Sequence, residues 1–237
     1  MASTGIGSPR LDAERERLYG TGEPGGVRAL VLALARPADW EVLGTVWQGV
    51  QADLGWPAPG IAVSGADACQ LWFSLAEPVT PVEAHALLDH LRARYLADVP
   101  AHRITLLPSA DGLRLAPTVP APHPDSEGGE VWSAYVAPDL APVFAETPWL
   151  DIPPRAEGQA ELLSRLRPIS AGELAMLRPE PSAAVSSAPV VPDPAGVAAG
   201  IFTDPRDFLQ QVMNDERVEM ALRIEAAKVL LEAPGRS

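Results

Sequence analysis

The spacing of apolar residues divides residues 28–75 into a strand, a helix and two more strands. Residues 28–35 are a short apolar run that an Arg-Pro pair ends, which is typical of a buried strand. Residues 38–54 place apolar side chains at steps of three and four, as one face of an amphipathic helix requires. This stripe consists of Trp40, Leu43, Trp47, Val50 and Leu54. Residues 61–64 and 69–75 are predicted strands joined by a turn.

A second helix has the clearest start signal in the chain. Thr80-Pro-Val-Glu83 is a capping box with proline at the first helical position, and the apolar stripe behind it predicts a helix over 80–97. Residues 103–107 are a fourth predicted strand. The order strand, helix, strand, strand, helix, strand is that of the split βαβ motif, which is ferredoxin-like and RNA-recognition-like. The sequence therefore predicts an α+β fold whose antiparallel sheet carries both helices on one face.

The segments before and after residues 28–107 are predicted to be an N-terminal arm and the rest of the main domain. Residues 1–26 are rich in Gly, Ser, Pro and charge and are predicted to be a mostly disordered arm, in which 11–19 could form a short helix. The main α+β domain is assigned to residues 27–154. Further apolar runs in it predict additional strands at 113–119 and 130–137 and a helical turn at 139–145.

The C-terminal part is predicted to be a helical extension, a linker and a helical pair. Residues 155–178 contain two short helical patterns. Residues 179–202 are mainly Pro, Ala, Ser and Val with almost no charge, which is typical of a disordered linker. Residues 203–232 carry an apolar stripe that predicts a helical hairpin or one kinked helix. Its first apolar cluster is the candidate partner-binding surface, composed of Phe208, Leu209, Val212 and Met213.

The charge of the chain narrows the classes of partner. There are 18 Lys and Arg residues against 31 Asp and Glu residues, and the formal net charge is −13. Proteins that bind phosphates of nucleic acid usually carry a positive surface, so nucleic acid is disfavoured as a partner without being excluded. No run approaches the ~18–20 apolar residues that span a bilayer, and the N-terminus has no apolar signal segment. We therefore expect a cytoplasmic protein with no membrane partner.

Residue types that usually mark a catalytic, cofactor or metal site are not grouped. The chain lacks the glycine-rich dinucleotide pattern, the P-loop and the nucleophile elbow. His85 and His90 share a predicted helix, but at ~100° per residue they point about 140° apart, which does not suit one metal ion. Cys69, the single cysteine, is predicted to be a buried structural thiol. We expect no cofactor, no metal ion and no catalytic residue.

One segment resembles a known motif. Residues 63–75, with the sequence Val-Ser-Gly-Ala-Asp-Ala-Cys-Gln-Leu-Trp-Phe-Ser-Leu, resemble the second motif of archaeo-eukaryotic-type primases and primase-polymerases. That motif runs Ser-Gly-x-x-Gly-x-His and precedes an apolar strand. Ser64 and Gly65 match it, and Gln70 stands at the position of the family's nucleotide-binding His.

The resemblance extends over residues 28–120 and has departures at the functional positions. Residues 103–111 are similar to a later segment of the family, with Asp111 as the matching acidic residue. The family's fold contains an RNA-recognition-like sheet, which agrees with the order of elements. The family also has paired metal-binding aspartates before the second motif, whereas residues 28–59 contain no Asp-x-Asp. The resemblance thus implies a degenerate, non-catalytic relative.

Aromatic residues on predicted strands allow two interpretations. Trp72 and Tyr135 are candidates for base stacking, because aromatic side chains on the open face of RNA-recognition-type sheets stack on bases. The alternative is that these rings pack inside the protein. We favour packing, since no basic residues accompany the rings.

Three hypotheses for function follow. Residues 204–231 are similar to a segment of phage small terminase subunits, and both resemblances point to a phage or mobile element. The leading hypothesis is a non-catalytic protein of such an element, with a degenerate primase-like domain and a C-terminal protein-binding helix. The alternatives are a nucleic-acid-processing enzyme of the primase or nucleotidyltransferase kind, with metal ligands at other positions, and a single-stranded nucleic-acid binder that uses Trp72 and Tyr135.

Overall fold

The fold was analysed in a computed structural model of the chain, which describes residues 7–20, 25–125, 128–175 and 177. All of these residues belong to the first of the two units of the chain, residues 1–184. The helices are α1 (Pro9–Tyr19), α2 (Trp40–Leu54), α3 (Pro81–Tyr95), α4 (Ala156–Ser164) and α5 (Ala171–Ala175). The strands are β1 (Val27–Ala35), β2 (Gly60–Val63), β3 (Ala68–Val79), β4 (Ile104–Leu107), β5 (Pro122–Pro124), β6 (Glu130–Trp132) and β7 (Ala134–Val136).

Five strands form one sheet in the order β4-β1-β3-β2-β7. Every neighbouring pair is antiparallel, and β1 and β3 make the longest ladder, in which Ala35 faces Ala68 and Val27 faces Val79. The first four strands and the two helices between them have the split βαβ order. The fold class predicted from the sequence is therefore confirmed, and β7 extends the sheet beyond β2.

The first face of the sheet is covered by α2 and α3. Odd residues of β3 and even residues of β1 point to this face and join the helix stripes in one buried core. Its central members are Leu30, Leu32, Leu34, Leu71, Phe73, Leu43, Val46, Val50, Ala84, Leu88 and Leu91. Both helices thus lie on one face, as the sequence predicted. Burial of such apolar stripes is the main stabilising contribution to helices of this length.

The ends of both helices follow from local chemistry. The Asp39 side chain accepts a hydrogen bond from the Val42 N–H at 3.1 Å and starts α2, and Gly55, with φ +64°, ends it in the left-handed conformation. The predicted capping box of α3 is present, since Thr80 and Glu83 each bond the other's backbone N–H.

The second face of the sheet is covered by α1 and α4. Leu11 and Leu18 of α1 are 0% exposed and pack with Val31 and Trp72 of the sheet. The prediction that residues 1–26 are a mostly disordered arm is therefore wrong for α1, which occupies the range 9–19. The physical reason is that β1 and β3 are apolar on both faces, so the second face also needs a cover.

Polar contacts hold α1 in place. The Ser74 hydroxyl donates a hydrogen bond to the Leu18 carbonyl at 2.5 Å, which ties the end of α1 to β3. The Arg17 guanidinium donates to the carbonyls of Leu163 and Leu166 at 2.9 and 3.1 Å, at the end of α4. Arg10 adds an ion pair with Glu161 at 2.9 Å on the surface.

The region between β4 and α4 differs from the prediction at two points. Residues 130–137 were expected to form one strand, but they form β6 and β7, which pair with β5 and β2. The break is at Ser133, whose N–H donates to the Ala121 carbonyl at 2.9 Å while its hydroxyl accepts from the Ala121 N–H at 2.9 Å. Residues 113–119, which contain Pro117, form no strand.

The helical extension has the two helices that were predicted, α4 and α5. The predicted linker 179–202 and the helical pair 203–232 lie outside the described residues.

Candidate functional site

The Ser64-Gly65 turn joins β2 to β3, and its Ser64 side chain forms hydrogen bonds within the primase-like motif. The Ser64 hydroxyl accepts hydrogen bonds from the N–H groups of Ala66 and Ala68, at 3.1 and 3.0 Å. The Ser64 N–H donates to the Ala68 carbonyl at 2.9 Å. Ser64 therefore stabilises the turn through local side-chain bonds, a role for which serine is favoured at such positions.

Gly65 is required for two physical reasons. Its φ is +76°, in the left-handed region that disfavours other residues. A Cβ atom at this position would lie 2.3 Å from the His123 ring and 2.8 Å from the Ser133 backbone nitrogen. The hairpin of β5 and β6 thus packs directly on the glycine.

Gln70 is buried and bonded within the fold. It is 7% exposed, and its Oε1 accepts a hydrogen bond from the Trp72 indole N–H at 2.9 Å. On the neighbouring strands it faces Ala33 and Ala62, which bring no titratable side chain to it. No group of three or more His, Cys, Asp or Glu side chains suited to a metal ion occurs in the part of the chain that the structure describes.

Asp111 lies in the loop after β4, where it organises that loop. Its carboxylate accepts a short hydrogen bond from the Ser109 hydroxyl and one from the Leu113 N–H at 3.0 Å. These two bonds, the Ser109 bond first, hold the pKa of the Asp111 carboxyl below its usual value. Asp111 thus acts as a turn-forming acidic side chain.

The structure does not bring Asp111 together with the Ser64-Gly65 turn. The turn lies at the end of the sheet where Ala35 faces Ala68. Asp111 follows β4 toward the opposite end, and its neighbour Gly112 approaches the first residue of α3, Pro81. Since β1 spans nine residues, the two ends are separated by about 25 Å at ~3.3 Å per residue. The four motif positions therefore form no common site.

The aromatic candidates Trp72 and Tyr135 lie beneath α1 and α4. They are 3% and 4% exposed, and their ring centroids are 5.6 Å apart in an edge-to-face arrangement. Tyr19 of α1 joins them, with its ring 5.2 Å from Trp72 and 6.3 Å from Tyr135. This arrangement leaves neither ring on an open sheet face, where it could stack on a base. Both rings pack inside the protein, which is the interpretation favoured from the sequence.

The hydroxyl oxygen of Tyr19 is buried although the residue is partly exposed. It has no hydrogen-bond partner among the described residues. Burial raises the pKa of both Tyr19 and Tyr135 above its ordinary range. For Tyr19, the Tyr135 hydroxyl and Arg17 lower the pKa, but by less than burial raises it. No sequence signal marks Tyr19, because it lies in residues 1–26, which were predicted to be a mostly disordered arm.

Two further candidate side chains, Cys69 and His85, contact other parts of the fold. Cys69 is 1% exposed, and burial, with a smaller contribution from Asp39, raises the pKa of its thiol to about 11. The prediction that this thiol is buried is confirmed. The His85 Nδ1 lies 2.9 Å from the Pro108 carbonyl, a contact that joins α3 to the loop after β4.

The candidate partner-binding residues Phe208, Leu209, Val212 and Met213 lie outside the described residues. In the ranges that the structure describes, no helix is both long and apolar enough to cross a bilayer. A comparison with protein-family models and a comparison with curated proteins give no significant match to this chain.

Proposed function

We propose that this chain works by binding a protein partner, without catalysing a reaction itself. In this proposal the α+β domain is a scaffold that has kept part of a primase-like sequence pattern. The segment 203–232 is the partner-binding element. The two sequence resemblances further support a role in a phage or mobile element.

The observation that carries the proposal is that four residues of the primase-like pattern, Ser64, Gly65, Gln70 and Asp111, each have a structural role in the fold. Ser64 and Gly65 build a turn, Gln70 bonds to Trp72, and Asp111 organises a separate loop. Catalytic groups in active sites are held so that their reactive atoms face a substrate. The polar side-chain atoms of Ser64 and Gln70 instead bond within the protein, and the exposed Asp111 bonds its own loop toward the other end of the sheet.

The support for the binding segment comes from the sequence. Phe208, Leu209, Val212 and Met213 make one apolar stripe at helical spacing. Amphipathic helices of this kind commonly bind in apolar grooves of partner proteins. The stripe follows a Pro- and Ala-rich stretch that is typical of extended linkers.

A matched pair of double variants tests the partner-binding role. Leu209→Asp with Val212→Asp places two charges in the stripe, and Gln210→Asp with Gln211→Asp places the same two charges beside it. Each variant and the natural chain would be expressed with an affinity tag in the native host and crosslinked. We expect one or more partners, crosslinked at 203–232, to be lost from the first variant and retained by the second.

Two results would contradict the proposal. Equal recovery of partners by both variants would remove the role of the stripe. Recovery of nucleic acid as the dominant ligand, insensitive to either variant, would favour the single-stranded nucleic-acid binder instead.

A further inference from the structure

The two edges of the sheet are closed to different degrees. At one edge, β7, the side chain of Gln159 pairs with the backbone of Tyr135 at 2.7 and 2.9 Å. At the other edge, the sheet of the described residues ends with β4, which pairs with β1 on its inner side. All four residues of β4 are half-buried, whereas residues 68–75 of the central strand β3 are buried. β4 is therefore the open edge of the sheet.

The bonding pattern identifies which backbone groups of β4 point outward. In an antiparallel pair, residues that bond the neighbouring strand alternate with residues whose N–H and C=O point away from it. The Arg103 side chain, just before β4, donates to the Ala35 carbonyl of β1 at 3.2 Å, so the odd residues of β1 direct their backbone groups toward β4. The bond that closes the turn between β2 and β3 gives the same alternation. Odd residues of β4 face odd residues of β1, so Ile104 and Leu106 point outward.

Leu106 is the centre of this open edge. The Ile104 N–H donates to the Ala101 carbonyl in the turn before β4. No hydrogen bond between described residues uses the N–H or the C=O of Leu106 on its outer side. Pro108, the next outward position, has no N–H, so the open stretch is short. An open edge of this kind pairs with another extended strand through backbone hydrogen bonds.

The flank of α3 beside this edge carries two opposite charges. α3 packs over β1 and β4, and the His85 Nδ1 lies 2.9 Å from the Pro108 carbonyl. Asp89 and Arg92 follow His85 by four and seven positions, so they share its flank of the helix, whereas Arg94 on the opposite flank contacts α2. Asp89 and Arg92 form an ion pair at 2.8 Å, and their side chains are 51% and 33% exposed.

The two charges lie level with Leu106 along the strand. α3 runs antiparallel to β4, since its first turns meet the residue that follows the strand. From Pro108 back to Leu106 the strand advances about 6.6 Å, and from His85 to Asp89 the helix advances about 6 Å. A two-fold axis beside Leu106 therefore places the α3 flanks of two copies next to each other, with the Asp89 and Arg92 pairs at the axis.

We propose that a second copy of this chain pairs with β4, so that the sheets of two protomers join about a two-fold axis. The Leu106 N–H of each copy donates to the Leu106 carbonyl of the other, in a self-complementary contact of the kind that symmetric dimers use. Asp89 of each copy faces Arg92 of the other, which is the charge complementarity that favours a second copy as the occupant. The contact does not use the segment 203–232 and is independent of the proposed partner-binding function.

The test is sedimentation equilibrium of the full-length chain between about 5 and 500 µM. We expect a monomer–dimer equilibrium with a dissociation constant on the order of 100 µM, because a short strand makes a small interface. Backbone amide NMR spectra of the isotope-labelled chain, recorded over the same dilution series, are expected to shift at residues 103–108 and at positions 85–92 of α3.

Charge reversal identifies the contact. Asp89→Arg leaves only positive charges around the axis and should raise the dissociation constant of the dimer at least about fivefold. Adding Arg92→Asp restores charges of both signs and should return the constant to within about twofold of the natural value. Glu146→Arg makes the same change of net charge at another exposed position and should leave the constant unchanged. The amide spectrum of each variant shows directly whether it is folded.

Several results would overturn the proposal. These are a chain that stays monomeric at about 500 µM, an Asp89→Arg dimer as strong as the natural one, a double variant as weak as Asp89→Arg alone, and dilution shifts away from β4 and α3. A dimer lost only in the Leu209→Asp, Val212→Asp chain would place self-association in the C-terminal segment. A monomeric chain with a different protein crosslinked at β4 would show that the edge pairs with that protein instead.

Discussion

The side-chain amide of Gln159 pairs with the backbone of Tyr135 as a neighbouring strand would. Its Oε1 accepts from the Tyr135 N–H at 2.7 Å, and its Nε2 donates to the Tyr135 carbonyl at 2.9 Å. Tyr135 lies in β7, the edge strand next to β2. An uncovered edge strand exposes backbone groups that invite pairing with other chains. Gln159 therefore both attaches α4 to the sheet and closes this edge.

Replacing Gln159 with Leu should destabilise the domain strongly. Both Tyr135 backbone groups would stay buried without partners, and each such group costs about 1–3 kcal/mol. We expect a loss of about 2–4 kcal/mol in the free energy of unfolding, measured by urea denaturation. Gln51→Leu is the control, since among the described residues the Gln51 side chain bonds a carbonyl of its own helix, that of Trp47. A loss below about 0.5 kcal/mol for Gln159→Leu would show that the pairing contributes little.

Two glycine substitutions should have opposite effects. Gly65→Ala forces a Cβ against the Ser133 backbone at 2.8 Å and at φ +76°, so we expect a loss of more than about 2 kcal/mol in unfolding free energy. Gly158 is helical, and a Cβ there meets no atom of the described residues within 4 Å. Gly158→Ala should therefore stabilise the domain by about 0.5–1 kcal/mol. A neutral Gly65→Ala would contradict the structural role given to the turn.

Docking of α1 predicts that its apolar residues contribute to stability. Leu18→Ala removes a side chain that is 0% exposed, and we expect it to cost about 2–4 kcal/mol. Leu140→Ala, at a position that is 50% exposed, should change the unfolding free energy by less than about 0.5 kcal/mol. Thermal or urea denaturation compares the two. If Leu18→Ala were as mild as the control, α1 would not be part of the folded core.

Stability should fall in alkaline solution because of the buried tyrosines. Burial raises the pKa of Tyr19 and Tyr135 above their usual value, so the folded state keeps these protons longer than the unfolded chain. Their contribution is fully present below about pH 10 and is lost as the pH rises above it. The comparison is made in a Cys69→Ala background, because the buried thiol also has a raised pKa and would also titrate in alkaline solution. In this background, Tyr19→Phe should reduce the slope of the unfolding free energy against pH. Since the Tyr19 hydroxyl meets no hydrogen-bond geometry with the described residues, this variant should not lose stability at neutral pH. An unchanged alkaline slope would contradict the burial of the hydroxyl.

The central fold could be predicted because its elements carry periodic apolar signals. The stripe of α2, the capping box of α3 and the apolar β1 each define an element without tertiary information. The order of these elements then fixed the topology, since the split βαβ arrangement is a common solution for it.

The cover of the second face could not be predicted, since its signals are weak. The only fully buried residues of α1 are Leu11 and Leu18, seven positions apart within a charged segment. Ser8-Pro9, which caps the helix, was the local signal that would have supported it. Gln159 has no sequence signal, because a glutamine on an amphipathic helix is normally exposed. Its role depends on the edge strand beside it.

The roles of the motif positions also needed the structure. Ser64 and Gly65 match the primase motif equally well whether they bind a nucleotide or build a turn. Only the contacts of Gly65 with His123 and Ser133, and the distance of Asp111 from the turn, separate these possibilities.

Template-dependent primer synthesis is the measurement that tests the central claim most directly. The purified full-length chain would be incubated with single-stranded template, nucleoside triphosphates and Mg²⁺ or Mn²⁺, beside an Asp111→Ala variant. Because the fold uses Ser64, Gly65, Gln70 and Asp111 for its own contacts, we predict no metal-dependent product from either chain. Metal-dependent product from the natural chain that disappears in the Asp111→Ala variant would contradict the account and establish a catalytic role for this site.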